Sequence, residues 1–263
     1  MNPILNVAVS AARNAGNYIA RASERLDLIK TERKDTNDFV TNVDKKAESI
    51  IIEAVRENYP DHGIIAEEGS HHEGDEFQWV IDPLDGTTNF IHGIPQFAIS
   101  IGIKHKGRLQ FGVIYDPMRQ ELFTAIRGSG AQLNSRRIRV SQHKSLDGSL
   151  LATSFPFRQR DKLDIYQQTF NAIYAQCNDI RRAGSAALDL AYVAAGRLDG
   201  YWEFGLSPWD FAAGVLLVKE AGGMVADLDG SENYLETGNI LAGNPKVFKG
   251  LLQKVHPFVA APG

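Results

Sequence analysis

The order of strand-like and helix-like segments is the feature that most constrains the fold of this chain. From Phe97 to Ile126, alternating apolar segments follow one another with short turns, which predicts an antiparallel meander. After about residue 140 the pattern changes to alternating helices and strands. We expect helices at 163–176, 185–195, 209–221 and 245–255. We expect strands at 150–154, 180–183, 198–204 and 224–228.

A meander followed by alternation predicts two subdomains. Residues 1–142 would form an α+β unit with an antiparallel sheet, and residues 143–263 an α/β unit. The boundary region contains no long linker, so the two units should pack tightly.

Two helices and two strands are expected before the meander. Asn2 and Pro3 are start signals for an N-terminal helix, and Thr41 is an N-cap for a second helix that Pro60 ends. The segment 63–66 is a short apolar strand, and 71–76 is a polar loop. The segment 79–82 is a buried strand that should break at Pro83.

Composition excludes several classes of protein. The chain has 263 residues and a net charge of −4, which argues against a protein that grips nucleic acid mainly by charge. Cys177 is the single cysteine, so no internal disulfide can form, and a reducing cytoplasmic setting is expected. No apolar run approaches the roughly 18 residues of a membrane span.

The segment 79–90, WVIDPLDGTTNF, is the strongest local signal for chemistry. Pro83, Asp85 and Gly86 are also good β-turn residues, so a plain turn explains part of it. A turn does not explain Asp82, because an unpaired carboxylate at the end of an apolar strand is costly. Carboxylates at this place suit a hard cation such as Mg²⁺, and the following N–H groups suit phosphate. Both interpretations stay open on these residues alone.

Three other acidic residues lie where an apolar element meets a loop, namely Asp44, Glu67 and Asp210. Each has an ordinary explanation as a solvated loop acid or as first-turn helix charge. Together they are less easily dismissed. A further segment, Asp227-Leu228-Asp229-Gly230, resembles the aspartyl nucleophile motif of haloacid dehalogenase-type phosphatases. Too little chain follows it to complete such a site, so a simple turn is the favoured interpretation.

Longer motifs identify a family resemblance. They are WVIDPLDGTTNF at 79–90, WDFAAG at 209–214, EAGG at 220–223, NDFVTNVD at 37–44, AEE at 66–68 and RRAGSAA at 181–187. Their sequences and order resemble the inositol monophosphatase family, most of all its bacterial SuhB-type members. The resemblance covers nearly the whole chain.

The resemblance implies a layered αβαβα sandwich, the fold shared with fructose-1,6-bisphosphatase relatives. It also implies Mg²⁺-dependent hydrolysis of phosphomonoesters, with two or three Mg²⁺ ions at each active site. Lithium sensitivity and a homodimer are further expectations from the family.

The family's site residues map onto this chain position by position. Glu67, Asp82, the Leu84 carbonyl and Thr87 would hold the first metal, and Asp82, Asp85 and Asp210 the second. Asp44 would pair with Thr87 and help to activate the attacking water, and Glu67 is the third residue expected to be catalytic.

The substrate contacts carry over in the same way. The N–H groups of Gly86 and Thr87, beside Asp85, would receive the phosphate group. Glu203 and Ala186 would contact the polyol, and Lys34 aligns with a basic residue near the metals. Ser207 stands where family members often carry a basic residue, which should alter the affinity for a charged group.

Two questions about function stay open. The substrate implied first is myo-inositol 1-phosphate, while related sequences act on histidinol phosphate, fructose 1,6-bisphosphate or 3′-phosphonucleotides. The second question is a binding role, because SuhB-type proteins are associated with RNA polymerase and antitermination factors. Substitution of Asp82 would separate an adaptor role, which should survive it, from an enzymatic role.

Overall fold

The computed structural model describes residues 2–35 and 38–259, without the side chains of residues 33–35 and 38. Two helices begin as the sequence predicts. Helix α1 (Pro3–Ser23) is capped by Asn2, whose Oδ1 accepts a hydrogen bond from the Ile4 N–H at 2.9 Å. Helix α2 (Asn42–Asn58) begins with a capping box between Thr41 and Asp44.

The first part of the chain builds a hairpin and an eight-stranded sheet. The hairpin consists of β1 (Thr31–Asp35) and β2 (Asp38–Thr41). The sheet strands are β3 (Gly63–Ala66), β4 (His71–His72), β5 (Phe77–Asp85), β6 (Ala98–His105), β7 (Arg108–Asp116), β8 (Glu121–Ile126), β9 (Gly130–Leu133) and β10 (Arg136–Arg137). Their order is β10-β9-β8-β7-β6-β5-β3-β4, and β3 and β5 are its parallel pair. The short helix α3 (Thr87–Ile91) follows β5.

The second part of the chain builds a five-stranded mixed sheet. Its strands, in spatial order, are β12 (Asp179–Arg181), β11 (Leu150–Thr153), β13 (Gly200–Glu203), β15 (Ile240–Gly243) and β14 (Met224–Ala226). The helices of this part are α4 (Leu163–Tyr174), α5 (Ala186–Ala194), α6 (Pro208–Glu220), α7 (Tyr234–Thr237) and α8 (Pro245–Val259).

Five layers result, and they confirm the expected αβαβα sandwich. α1 and α2 cover one face of the large sheet, α5 and α6 lie between the two sheets, and α4 and α8 cover the small sheet. Apolar cores fill the spaces between the layers. α6 approaches the large sheet closely because Gly102 and Gly112 lack side chains. A Cβ at Gly102 would lie 2.7 Å from the Ala212 Cβ.

The middle helix layer joins the two halves of the chain, because α5 and α6 follow residue 143 and pack on strands that precede it. The division into units 1–142 and 143–263 stays a prediction. No helix in the described residues has both the length and the apolar character needed to cross a membrane.

Two local predictions were wrong. β5 does not break at Pro83 but continues to Asp85, because a bulge opposite Ile99 takes up the proline between the pairs Asp82–Ser100 and Asp85–Ala98. The segment 71–76 is not entirely loop, since β4 pairs with β3 at the sheet edge. Strand β15 was not predicted from the sequence.

Candidate active site

The carboxyl ends of two parallel strands meet at one edge of the large sheet. β3 runs parallel to β5 with Ala66 opposite Ile81, and the Glu67 N–H donates to the Ile81 carbonyl at 3.1 Å. This pairing brings Glu67 towards Asp82, which is buried at 1% exposure. The Asp82 Oδ1 accepts the Leu84 N–H at 2.9 Å, which fixes the bulge. Parallel pairing thus explains why these two acids lie together.

The turn that carries Glu67 is held from α2. The buried carboxylate of Glu48 accepts hydrogen bonds from the Glu68 N–H at 2.8 Å and the Ser70 hydroxyl at 2.6 Å. Glu48 is therefore a positioning residue for Glu67. Glu48 was not predicted from the sequence, because no motif distinguishes it from the other polar residues of α2.

Gly86 makes the sharp connection from β5 to α3. It has φ of +101°, and a Cβ there would lie 2.8 Å from the Gln96 carbonyl oxygen. Only glycine combines this conformation with this close approach. The Asn89 amide donates to the Gln96 and Ala183 carbonyls at 2.8 and 2.9 Å, which ties α3 to the second half of the chain.

Asp44 and Thr87 are in direct contact, as the family resemblance implies. The Thr87 hydroxyl lies 2.8 Å from the Asp44 Oδ1 and 3.0 Å from the Leu84 carbonyl, and its single proton can serve one of them. Asp44 is fully buried, and its Oδ2 accepts the Thr41 N–H at 2.9 Å. Burial raises the pKa of Asp44 above its ordinary value, against the opposing effect of these hydrogen bonds.

Asp85 joins the two halves of the chain. Its Oδ2 accepts hydrogen bonds from the Ser185 hydroxyl at 2.6 Å and the Ala187 N–H at 2.7 Å, at the start of α5. Ala186 lies between these two contacts, at 7% exposure. The contact places a predicted polyol-binding residue beside a predicted metal ligand.

Asp210 closes the cluster from the start of α6. Its Oδ2 accepts the Ser207 N–H at 2.8 Å, which completes a capping box. The Arg158 Nη1 donates to the same oxygen at 2.6 Å, and its Nη2 lies 3.9 Å from the Glu67 Oε1. Arg158 comes from the loop after β11, and its guanidinium lies between two predicted metal ligands.

The four carboxylates affect one another strongly. Burial raises the pKa of Asp82 well above its ordinary value, and repulsion from Glu67, Asp85 and Asp210 adds to the effect. Burial and then Asp210 raise the pKa of Asp85 to about 7, although its hydrogen bonds to Ser185 and Ala187 act in the opposite direction. With all four groups ionised, the cluster would hold more negative charge than the surrounding protein compensates, so burial and repulsion favour protonated forms.

The donor set fits a hard divalent cation. All four side chains offer oxygen, and their mutual repulsion is the kind that Mg²⁺ relieves. In the described residues, however, no three acidic, histidine or cysteine side chains converge on one point as a closed metal cage. In this conformation the Arg158 guanidinium supplies positive charge at Asp210 and Glu67.

A second acidic group lies where β13 ends. The Glu203 carboxyl is buried and accepts a hydrogen bond from the Tyr201 hydroxyl. Burial, with smaller contributions from Asp210 and Asp85, raises the pKa of Glu203 to about 8. Asp189 on α5 is also buried, and burial followed by repulsion from Glu203 raises its pKa well above the ordinary value.

Both acidic groups line one cavity of about 340 Å³. The predicted site residues that line it are Glu67, Asp82, Leu84, Asp85, Gly86, Thr87, Ala186, Glu203 and Asp210. Asp44 reaches the cavity through Thr87. The side chain of Lys34 lies outside the described residues, and Ser207 caps α6 without being part of the lining.

The charged residues Arg158 and Asp189 line the cavity and were missed from the sequence. Arg158 lies in a loop whose sequence, Phe-Pro-Phe-Arg, contains no motif for an ion pair 52 positions away. Asp189 carries a weak signal, since it is the one charged residue in the otherwise apolar segment 186–194.

The chain is similar to known proteins in both sequence and structure over nearly its whole length. The sequence model described as the inositol monophosphatase family matches residues 1–259. A curated relative, Nus factor SuhB of Pseudomonas aeruginosa, is 58% identical over 98% of this chain and 97% of its own. The crystal structure of the extragenic suppressor protein suhB from Bartonella henselae matches with a TM-score of 0.94 and 42% identity, over 97% of this chain and 98% of that one. The inositol monophosphatase from Anabaena matches with a TM-score of 0.84 and 40% identity, over 97% and 95% of the two chains.

Proposed function

The chain belongs to the inositol monophosphatase family, and we propose that it is a Mg²⁺-dependent phosphomonoesterase that hydrolyses myo-inositol 1-phosphate and related polyol phosphates. A phosphatase of this family is supported by the matches to solved family structures. The observation that carries the finer proposal is that Glu67, Asp82, Asp85 and Asp210 line one cavity, with the pKa of Asp82 raised by burial and then by the other three acids.

The proposed metal ligands are those that the family resemblance implies, and they belong to that cluster or adjoin it. Glu67, Asp82, Thr87 and the Leu84 carbonyl would hold one Mg²⁺, and Asp82 with Asp85 and Asp210 another. When bound, the cations would offset the phosphate charge, acidify a water and stabilise the leaving alkoxide. Asp82 belongs to both sets, so the site should depend on it more than on the others.

Asp44 and Thr87 would activate the attacking water. If the Thr87 hydroxyl donates its hydrogen bond to the Asp44 Oδ1, the hydroxyl oxygen is left to accept a hydrogen bond from the attacking water. The raised pKa of Asp44 suits it to hold a proton, because its burial disfavours the charged form. The rigid capping box around Asp44 keeps the pair in register.

Other residues of the cavity would orient the substrate. The Gly86 and Thr87 N–H groups would face the phosphate, and Ala186 and Glu203 would face the alcohol portion. Arg158 would give up its contacts with Asp210 and Glu67 when Mg²⁺ enters, since both cations need the same oxygens.

A phosphate-release screen tests this proposal. The panel contains myo-inositol 1-phosphate, histidinol phosphate, fructose 1,6-bisphosphate and a 3′-phosphonucleotide, each with Mg²⁺ and with EDTA. We expect the highest kcat/KM for the inositol phosphate, no turnover in EDTA, and inhibition by Li⁺. Full activity in EDTA, or no release from any substrate, would contradict the proposal.

A homodimer is proposed from family membership. Light scattering coupled to gel filtration checks this directly, and a mass near 29.0 kDa would contradict it, because that is the mass of one chain.

A transcription-related role is the second and less supported proposal. Its support is the printed name of the curated relatives, Nus factor SuhB. Asp82→Asn separates the roles: binding to antitermination factors or RNA polymerase should survive this substitution, whereas hydrolysis should not.

A further inference from the structure

Asp189 is a buried carboxyl group, and burying it should cost folding free energy. It is 2% exposed, and none of the described residues makes a hydrogen bond to its side chain. Burying an unpartnered polar group destabilises a fold, so such a group calls for an explanation. Asp189 is an acid of the first turn of α5, but it does not cap the helix, because Ser185 does so through the Leu188 N–H. The positive group that acts on Asp189 is Arg182, which lines the same cavity.

The place of Asp189 points towards a ligand. It lines the same cavity as the carboxylate cluster, and it lies three residues after Ala186 on the same face of α5. Ala186 adjoins Asp85 through the Ala187 contact, and Asp189 lies one helical turn along α5 from Ala186. The alcohol portion of a bound phosphomonoester would extend in this direction.

Glu203 marks the same end of the cavity. Both carboxyl groups line this cavity, repulsion from Glu203 adds to burial in raising the pKa of Asp189, and Arg182 acts on both with the opposite sign. Glu203 already accepts a hydrogen bond from the Tyr201 hydroxyl, whereas no hydrogen bond to the Asp189 carboxyl group is present among the described residues. Its bonding capacity is therefore available to a ligand.

We propose that Asp189 is a specificity-determining residue that hydrogen-bonds a hydroxyl group of the substrate's alcohol portion, one helical turn beyond the Ala186 contact. This inference rests on the proposed phosphomonoesterase function and assigns a residue for selecting polyhydroxylated alcohols over apolar ones. A site built to bond a hydroxyl strongly rejects an analogue that lacks it, because the buried group is then left unpaired.

The test compares two substrates that share the reaction but differ in the alcohol. These are myo-inositol 1-phosphate and phenyl phosphate, whose alcohol has no further hydroxyl. For Asp189→Ala, the ratio of the two kcat/KM values should fall about tenfold or more, the scale of a lost hydrogen bond to a charged or buried group. Asp189→Asn keeps an acceptor and adds a donor, so it should keep most of the ratio.

Thermal stability provides a readout that separates binding from structure. If Asp189 is kept for the ligand, Asp189→Ala should melt at the same temperature as the wild type or higher, because an unpaired buried group is removed. The matched control is Asp227→Ala. Asp227 is also buried, but it accepts hydrogen bonds from the Leu228 N–H and the Thr237 hydroxyl outside the cavity. This control should lower the melting temperature and leave the substrate ratio unchanged.

The outcomes are distinguishable. An unchanged ratio in Asp189→Ala, or equal loss on both substrates together with a lower melting temperature, overturns the assignment of Asp189. If the wild type releases phosphate from neither substrate, the proposed function fails instead. Calorimetric binding of myo-inositol 1-phosphate to the wild type and Asp189→Ala then decides the role of Asp189, with equal affinities overturning it.

Discussion

Two turns of this chain look alike in sequence and differ in what they do. Each lies at the end of a largely buried strand and contains two aspartates and a glycine of positive φ. These are Asp82, Asp85 and Gly86 at the end of β5, and Asp227, Asp229 and Gly230 directly after β14. In the second turn, neighbouring backbone groups donate hydrogen bonds to both carboxylates. Asp227 accepts the Leu228 N–H at 2.6 Å, and Asp229 accepts the Ser231 N–H at 2.8 Å.

In the first turn, the interactions of the aspartates come from residues that are distant in the sequence. Asp85 is bonded by Ser185 and Ala187, about 100 positions along the chain, and Asp82 faces three other acids. The pKa shifts reflect this contrast: burial raises the pKa of Asp82 and Asp85, whereas the Ser231 hydrogen bonds lower that of Asp229. A strand-end carboxylate thus becomes a candidate for chemistry when its own turn does not satisfy it.

The largest expected effect separates the two turns by activity. Asp82→Asn should reduce kcat/KM for myo-inositol 1-phosphate by at least about a hundredfold, the scale for losing one preorganised electrostatic group in an active site. Asp227→Asn should leave kcat/KM close to the wild-type value, measured at saturating Mg²⁺. Comparable losses in both variants would remove the distinction between the turns.

The sequence predicted what is local and left out what depends on distant partners. The Asn2 and Thr41 caps are confirmed because capping uses neighbours within three residues. The αβαβα layers are confirmed through the family resemblance. The contacts of Arg158 with Asp210, and of Glu48 with the Glu67 turn, join segments 20 to 52 positions apart, and no single segment encodes them.

Gly86 and Gly230 allow the two turns to be compared through the free energy of unfolding. A Cβ on Gly86 would meet the Gln96 carbonyl at 2.8 Å, whereas on Gly230 it would meet the flexible Leu252 side chain at 3.2 Å. Gly230→Ala should cost about 1–2 kcal/mol for its positive φ. Gly86→Ala should cost about 2–4 kcal/mol, since backbone overlap adds to the same strain. Denaturant melts of both variants check this, and equal losses would contradict it.

The pH dependence of stability should also differ between the turns. In the metal-free folded protein the pKa of Asp85 is about 7, against roughly 4 in an unfolded chain, so the folded state holds a proton that the unfolded state has lost. The stability from this group is complete below about pH 4 and is lost as the pH rises through about 7. The lowered pKa of Asp229 has the opposite sign, and its contribution is lost only as the pH falls below its ordinary range.

Melts in EDTA between pH 5 and 8 test this sign. The wild type should lose several degrees as the pH rises, at about 2–4 °C per kcal/mol for a chain of this size. Asp85→Asn should reduce the slope without removing it, because the pKa values of Glu203, Asp82 and Asp189 are raised in the same direction. Asp229→Asn should leave the slope unchanged, and a slope in Asp85→Asn equal to that of the wild type would contradict the prediction.

The smallest expected effect concerns Arg158, whose positive charge lies beside the acids of the first turn. Arg158 bonds Asp210 and lies near Glu67, so it competes with Mg²⁺ for the same oxygens. Arg158→Gln should lower the stability of the metal-free protein by about 1 kcal/mol, because its side chain is partly exposed and the pair is weaker than a fully buried one. The same change should enlarge the Mg²⁺-induced rise in melting temperature, since the cations then bind without displacing an arginine.

The control for Arg158 is a pair of similar geometry outside the cavity. Arg197 donates to Glu121 at 2.6 Å, and Arg197→Gln should lower stability without altering the Mg²⁺-induced rise. Calorimetric titration with Mg²⁺ gives a second measurement, in which Arg158→Gln binds a few-fold more tightly. If neither quantity changes in Arg158→Gln, the guanidinium does not compete with the metal. The carboxylates of the first turn would then be stabilised by their hydrogen bonds alone, like those of the second turn.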